Sequence, residues 1–236
     1  MGAEHRLDLP AVGERQSLRE QVAHALRAAL VTGEMRPGVV YSAPALAQQF
    51  GVSATPVREA MLDLAKEGLV EAVRNKGFRV AELSARDLDE LTELRRLIEV
   101  PTVTRLAACV PATGFARLRP LAEEIVAAAE RGDLLAYVDA DLRFHVELLA
   151  LSGNSRLVSI VTDLRTRARL YGLSTLPGDK LAGSAREHLA LLDALEAGDR
   201  DAVGHLMAEH IGHVRGIWAG PGQTGPETAG PESTGA

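Results

Sequence analysis

An aspartate and a histidine one helical turn apart are the first residues in this sequence that could share a ligand. They are Asp141 and His145, in the segment DADLRFHVELLALSGN (139–154). At i, i+4 spacing on a helix, a carboxylate oxygen and an imidazole nitrogen can reach one ion. His188 and His210 lie in two other segments with helical periodicity, so they can face a bundle centre, where metal sites are often built. These four residues therefore indicate a possible metal site.

Each of these histidines, taken singly, also fits a surface or helix-capping role, and His205 and His213 fit a solvated role. Three neutral imidazoles and one carboxylate suit Zn²⁺, which we favour, but Ni²⁺ or another first-row ion has the same ligand preferences. Such a site could also activate water for hydrolysis. A hydrolase needs a general base near the ion, as in H-E-x-x-H, and the sequence lacks this motif. A metal-dependent hydrolase is therefore the weaker hypothesis.

A second group of residues has the types that nucleic-acid binding uses. The segment GVSATPVREAM (51–61) begins a helix with Ser53, Ala54 and Thr55 and places Arg58 in its first turns. Hydroxyls and free N–H groups at a helix N-terminus bind phosphates, and an arginine can contact a phosphate or a guanine edge. Ordinary helix capping is the alternative for each residue alone.

A basic turn follows between two β-favouring runs, LVEAVR and FRVAE. It contains Arg74, Asn75, Lys76 and Gly77, and Arg79 comes just after it. Two such runs around a Gly-containing turn predict a hairpin. Its charge suits contact with the DNA backbone or minor groove, although charge at a hairpin tip can also simply keep a sheet edge soluble. Together with the helix at 53, the hairpin favours DNA binding.

The elements that position these residues fall into two parts. Ser17 and Glu20 form a capping-box pattern that opens a helix, and a second helix, a tight turn, a third helix and the hairpin follow. This order predicts a winged helix-turn-helix domain over 17–83. From Ser84 onward the pattern is helical throughout, so we predict a mainly α chain with an all-α antiparallel helical bundle over 84–219.

The bundle prediction comprises a helix from Ser84 that Pro101 breaks or kinks, followed by helices at roughly 114–131, 134–151, 155–173, 181–197 and 200–218. We expect a flexible N-terminus over 1–16. The Gly/Pro/Thr-rich end predicts a disordered tail over 220–236.

Composition narrows the classes of protein further. The net charge is −6, but residues 1–82 hold ten Lys/Arg and ten Asp/Glu, so the excess falls on the rest of the chain. An N-terminal part without net charge can still have a locally basic surface. The single cysteine, Cys109, excludes an internal disulfide and predicts a cytoplasmic protein. No apolar run approaches the ~20 residues that span a membrane, so we expect no membrane partner.

The N-terminal part resembles the DNA-binding domain of the GntR family of bacterial transcription regulators. The similarity covers residues 18–82 and includes EQVAHALRAALVTGEMRPG, LAQQFGVSATPVREAMLDLAKEGLVEA and NKGFRVAELS. Family members usually have an arginine where this chain has Ala54, and that arginine commonly contacts DNA. The resemblance therefore implies an atypical operator, a weaker one, or greater reliance on the wing, with Ala54 able to pack against a thymine methyl.

The C-terminal part, roughly 86–218, resembles the FCD effector-binding domain of the FadR-type GntR subfamily. The similarity lies in ELRRLIEV, DADLRFHVELLALSGN, EHLALLDALEAGD and the histidine eleven residues after Asp199. In metal-binding members the matching residues ligate a divalent ion, here Asp141, His145, His188 and His210, with His213 as the alternative to His210.

The resemblance also implies an effector pocket. Arg95 matches a family position where a guanidinium could pair with a small carboxylate, although an i, i+4 ion pair with Glu99 is the alternative. Asn154 could contribute to the pocket but fits helix capping better.

The function that follows is a ligand-responsive transcription regulator, more often a repressor in this family, and not an enzyme. We expect a homodimer that binds double-stranded DNA at a pseudo-palindromic operator and responds to a small carboxylate. Some subfamily members bind acyl ligands without metal, so a metal-free regulator with an acyl or apolar effector is an alternative.

Overall fold

The structure, a computed structural model of the chain, describes residues 17–168 and 178–218. It is mainly helical, with one small sheet near the N-terminus and helices after it. This confirms the predicted winged helix-turn-helix followed by a helical bundle. The expected flexible N-terminus, 1–16, and the expected tail, 220–236, lie outside the described residues.

Residues 17–83, which we call the head, form three helices and three short strands. They are α1 (Leu18–Val31), β1 (Val40–Tyr41), α2 (Ala43–Phe50), α3 (Ala54–Lys66), β2 (Val70–Val73) and β3 (Gly77–Val80). The predicted capping box opens α1: the backbone N–H of Ser17 donates to Glu20 Oε2 at 2.7 Å, and the Glu20 N–H donates to the Ser17 hydroxyl. These bonds satisfy backbone donors that a helix start leaves free.

The sheet has one more strand than the sequence pattern predicts. Its antiparallel order is β1-β3-β2, with Val40 opposite Arg79. β1 has only two residues, too few for an alternating pattern to show. Its close approach requires Gly77, because a Cβ there would lie 2.3 Å from the carbonyl oxygen of Tyr41, and because φ is 137°.

Residues 84–218, which we call the bundle, contain six α-helices and one 3₁₀-helix in their described ranges, 84–168 and 178–218. They are α4 (Ala85–Cys109), a 3₁₀-helix (Ala112–Leu118), α5 (Arg119–Glu130), α6 (Leu134–Ala150), α7 (Ser155–Ala168), α8 (Gly178–Ala197) and α9 (Arg200–Trp218).

Two of the predicted helix ends are wrong. Of the break or kink expected at Pro101, the break does not occur: α4 continues through Pro101, which is exposed, while the turns around it are held by buried residues such as Glu99 and Val103. The kink stays a prediction. The helix predicted at 114–131 is divided, because Pro120 begins the α-helix proper in its first turn. Of the helix predicted at 155–173, residues 169–173 lie outside the described part.

The buried apolar residues of the described ranges form two hydrophobic cores, one in the head and one in the bundle. Val31, at the end of α1, belongs to the bundle core, so the head packs against the bundle through this helix, which contacts α6. None of the helices within 17–168 and 178–218 combines the length and the apolar composition that crossing a bilayer requires.

Candidate functional site

The start of α3 is built to leave polar groups accessible. Ser53 is the N-cap, but its side chain makes no capping hydrogen bond. Ala54 is the first helical residue, and Thr55 and Arg58 are exposed. The hydroxyls and the free N–H groups of this first turn are therefore available to an anion such as a DNA phosphate.

A groove of about 460 Å³ joins the start of α3 to the wing, which is the turn between β2 and β3. Among the described residues, its lining includes Arg58, Arg74, Asn75, Lys76 and Gly77 and no carboxylate. The fold thus brings together on one surface the arginine of α3 and all four predicted wing residues. A cationic groove beside a helix N-terminus suits contact with a polyanion.

Four buried residues form a compact group in the middle of the bundle. Asp141 and His145 come from α6, His188 from α8 and His210 from α9, and one ligand atom from each lies within 4.8 Å of the others. These are the four residues that the sequence analysis proposed as metal ligands. His213 is exposed and is not among them.

The nitrogen and oxygen atoms of three of these side chains converge on one point. His188 Nε2 lies 3.1 Å from Asp141 Oδ1 and 3.1 Å from His145 Nε2, and His145 Nε2 lies 3.7 Å from Asp141 Oδ1. His188 Nδ1 faces the backbone carbonyls of Ser184 and Ala185. Because carbonyls only accept, Nδ1 bears the proton and the Nε2 lone pair faces the group.

His210 is oriented in the same way by a carboxylate. Its Nδ1–H donates to Glu187 Oε2 at 2.7 Å, and its Nε2 is buried without a hydrogen-bond partner in the described part of the chain. A buried nitrogen with an unused lone pair is unfavourable unless something binds it. A carboxylate behind a histidine is also the usual support of a metal ligand. The donor set therefore fits a divalent ion.

The protonation states suit metal binding as well. Burial, with the Arg165 charge next, holds the pKa of His145 well below its ordinary value of 6.5. Burial also lowers the pKa of His210 to about 4, although the hydrogen bond to Glu187 opposes the shift. Both imidazoles are thus neutral at pH 7, the form that binds metals.

A chain of buried charges connects this group to α4. Arg165 of α7 lies 3.5 Å from Asp141 Oδ2 and donates to Glu99 of α4 through Nε at 3.1 Å. Glu99 also accepts from Arg95 Nε at 2.7 Å. Burial alone would raise the pKa of Glu99, but the two arginines outweigh it and lower this pKa. Burial and the charge of Arg95 lower the pKa of Arg165 to about 10.

The two predicted effector residues have different environments. Arg95 makes the ion pair with Glu99, the alternative considered for it, but its Nη2 is buried with no partner among the described residues. Asn154 is exposed, and its Oδ1 accepts from the Leu157 N–H at 3.1 Å, a capping bond at the start of α7. Arg95 thus has an unused donor for an anion, while Asn154 serves the helix.

Sequence reasoning missed Arg165 and Glu187. Arg165 occupies a position of the buried stripe of α7, between Val161 and Ala168. A charge in such a stripe could have marked it as functional. Glu187 reaches His210 and His213 on another helix, and no spacing within α8 predicts that contact.

Comparison with known proteins gives two family matches along the chain. Residues 18–80 match the bacterial regulatory proteins of the gntR family, and residues 90–213, more than half of the chain, match the FCD domain.

Individual relatives are also named as transcription regulators. The regulator McbR of Escherichia coli is 30% identical over 207 residues, covering 85% of this chain and 93% of McbR. A probable D-xylose utilization operon transcriptional repressor of Paenarthrobacter nicotinovorans is 29% identical, covering 84% of this chain and 87% of its own. An HTH-type regulator of Agrobacterium vitis is 41% identical over 130 residues, covering 54% of this chain and 76% of its own.

The solved structure of E. coli McbR is similar in fold. It matches with a TM-score of 0.68 at 27% identity, covering 87% of this chain and 98% of that structure. The family matches and the relatives are those of transcription regulators and not of enzymes. The chain therefore belongs to the GntR family of bacterial transcription regulators, with a GntR DNA-binding domain followed by an FCD domain.

Proposed function

We propose that this DNA-binding regulator holds one divalent transition ion, Zn²⁺ in the first place, and that a small carboxylate bound beside the ion changes its affinity for operator DNA. The observation that supports this most directly is the buried Nε2 of His210, which has no partner among the described residues, in a group of three imidazoles and one carboxylate.

The ion would be held by Asp141, His145, His188 and His210. When bound, it supplies positive charge and coordination positions for a carboxylate oxygen. Glu187 keeps His210 in the tautomer that presents Nε2, and Arg165 lies beside the second oxygen of Asp141. These two residues position the ligands without replacing them.

The charges around the group favour an anionic effector. Arg95 and Arg165 balance Glu99 and Asp141, so an added divalent ion leaves an excess of positive charge. The Glu187 carboxylate, about one quarter exposed, offsets half of this excess positive charge. The unused Nη2 of Arg95 adds a charged donor, which forms strong hydrogen bonds with a carboxylate.

On the DNA side, we propose that Ser53, Ala54, Thr55 and Arg58 approach the major groove. The wing residues Arg74, Asn75, Lys76 and Gly77 would contact the backbone or the minor groove. A homodimer would present two heads to a pseudo-palindromic operator. Repression is the favoured mode because a relative is named as a repressor.

The proposal can be tested with DNA selected from a random-sequence duplex library by the purified protein. Acetate, succinate and citrate are then titrated into the Zn²⁺-loaded complex while fluorescence anisotropy reports DNA release. We expect at least one of them to change the dissociation constant of wild type by five- to 150-fold, and to have no effect on Arg95→Met. If none of the three acts on wild type, or if Arg95→Met responds equally, the carboxylate effector is wrong.

A regulator without metal, responding to an acyl or apolar effector, is the second candidate. It is favoured by a mostly apolar cavity of about 280 Å³ between the head and the bundle, which Arg27, Glu67 and Asp139 also line. Its walls include Val31 and Leu69 from the head and Leu135, Val138 and Leu142 from the bundle. In that case decanoate, and not a short carboxylate, would release the DNA, with or without chelator.

A further inference from the structure

A cleft lies between the head and the bundle, beside α1 and α6. It consists of two cavities, of about 280 Å³ and about 520 Å³, whose walls share Leu135, Asp139 and Leu142 of α6. We call the two together the interdomain cleft. The head supplies Val31 to the smaller cavity and His24 to the larger one. A small molecule bound in the cleft would therefore contact both parts of the chain.

The walls of the smaller cavity are mostly aliphatic. They include Val31, Leu69, Leu135, Val138 and Leu142. Leu142 is only partly buried and belongs to neither hydrophobic core of the described ranges. Its side chain is therefore available to an apolar group in the cleft. Concave, mostly apolar surfaces between domains are frequent sites of small-molecule binding.

The charged groups of the cleft leave one carboxylate unpaired. Arg27 Nε donates to Glu67 Oε2 at 3.2 Å, and Arg143 Nη2 donates to Glu124 Oε1 at 2.5 Å, so both arginines of the described walls are already paired. Asp139, which lines both cavities, makes no hydrogen bond and no close ion pair with the described residues. The hydrogen bond to Glu67 raises the pKa of Arg27 against the effect of burial, and Asp139 adds to this rise only through its charge.

The sum of the charges also decides which ligands the cleft favours. The described walls carry four carboxylates and two arginines, an excess of two negative charges before His24 is counted. A carboxylate ligand would be repelled there, whereas a cation would be attracted. An alkylamine is protonated at pH 7, as the side chain of lysine is. It combines the positive charge with an apolar chain.

We propose that the interdomain cleft is a second ligand site, which binds a small amine with an aliphatic chain. The chain lies between the aliphatic walls, and the ammonium group donates to the carboxylate of Asp139. This site is separate from the buried metal site, because Asp139 is exposed and lies two residues from Asp141, hence on another face of α6.

The position of the cleft links it to the helix that we propose for the major groove. α1 packs against α3, and Arg27 of α1 pairs with Glu67, the C-cap residue of α3. A ligand held between α1 and α6 would therefore restrict how α3 is oriented relative to the bundle. Binding of the amine should thus change the affinity for DNA.

Calorimetric titration of the full chain with hexylamine tests the site. We expect one hexylamine to bind per chain, and hexanoate, which has the same chain length and the opposite charge, to bind at least tenfold more weakly. Ethylamine, which has four fewer CH₂ groups, should bind about 100-fold more weakly. The protein is treated with chelator, so that no bound ion contributes and the result does not depend on the proposed metal site.

Three variants locate the bound amine. Asp139→Asn should raise the dissociation constant of hexylamine at least tenfold, because it removes a charge-assisted hydrogen bond. Leu142→Gln should raise it about tenfold, because it makes the aliphatic wall polar. Glu123→Gln is the matched control and should leave it unchanged, since Glu123 is an exposed carboxylate of α5 outside the described walls of the cleft. Circular dichroism should show all three variants folded.

Fluorescence anisotropy with selected DNA tests the link to the head. Hexylamine should change the DNA dissociation constant of wild type at least fivefold and leave that of Asp139→Asn unchanged. Equal effects on the two proteins would overturn this link. The site itself would be overturned if hexylamine did not bind, or if it bound Asp139→Asn as tightly as wild type. Hexanoate that binds as tightly as hexylamine would also overturn it, and would favour the acyl effector of the second candidate.

Discussion

Arg165 and Arg167 are two arginines of α7 that differ mainly in burial. The Arg165 side chain is 2% exposed and contacts Glu99 and Asp141, whereas the Arg167 side chain is 53% exposed and pairs with Asp163. Removing one partner of a buried ion pair leaves an uncompensated charge in a site that water does not reach. Removing one partner of an exposed pair has little effect.

We therefore expect Arg165→Met to lower the free energy of unfolding by about 3–5 kcal/mol. The matched control Arg167→Met should lower it by less than about 1 kcal/mol. Urea denaturation of both variants at pH 7 measures the difference. Equal losses would show that the buried network does not stabilise the bundle.

His210 predicts how the stability of the metal-free protein depends on pH. Its pKa is about 4 in the folded chain and near 6.5 when unfolded, so the unfolded chain takes up its proton at the higher pH. The contribution of the neutral, buried His210 to the free energy of unfolding is complete above pH 6.5 and is lost as the pH falls towards 4. It amounts to about 3 kcal/mol.

The measurement is urea denaturation of chelator-treated protein between pH 7.5 and 4.5. His210→Gln, which has no imidazole to protonate, should show a shallower loss over this interval than wild type does. Parallel curves for the two proteins would mean that His210 is not held neutral by burial.

At the scale of single residues, the sequence predicted the four candidate metal ligands but not all of the residues that contact them. The i, i+4 spacing of Asp141 and His145 and the family resemblance together indicated the four residues that the fold brings together. Glu187 reaches His210 across two helices, and such a contact depends on how the helices pack. Spacing within one helix contains no information about it.

At the scale of secondary-structure elements, two N-cap serines have different roles. The Ser84 hydroxyl accepts from the Asp87 N–H at 3.1 Å and completes a capping box on α4. Ser53 caps α3 without a side-chain bond. One hydroxyl is thus used for the fold, and the other is unused by the helix that it begins.

We expect Ser84→Ala to cost about 1 kcal/mol of stability. Ser53→Ala should leave stability nearly unchanged and weaken binding to selected DNA by roughly ten- to 150-fold, the worth of one hydrogen bond to a charged phosphate. Thermal unfolding and fluorescence anisotropy separate the two effects. A Ser53→Ala protein that is less stable but binds DNA as before would reverse the assignment.

The helices could be predicted from hydrophobic periodicity and N-cap residues. Three details of the elements could not be predicted in this way. Two-residue β1 forms only because β3 offers it an edge. Pro101 does not end α4 because packing of the flanking turns outweighs one missing hydrogen bond. The 3₁₀ turns before Pro120 belong to the same apolar pattern as α5, so periodicity alone does not separate them.

At the scale of the whole molecule, buried charges and packing connect the two functional regions. The network runs from Asp141 through Arg165 and Glu99 to Arg95 on α4, and α4 begins just after the wing. An anion that takes up the free donor of Arg95 changes the charge balance on the helix that leads to the DNA-binding head. This gives the proposed coupling a physical route between the two sites.

The metal content of the purified protein tests the central claim most directly. The chain is loaded with Zn²⁺, desalted and analysed by mass spectrometry, beside His188→Gln and the control His205→Gln, whose histidine is exposed and lies outside the buried group. We predict one ion per chain in wild type and in His205→Gln, and none in His188→Gln. An ion-free wild type, or a His188→Gln variant that retains its ion, would contradict a metal site formed by these four residues.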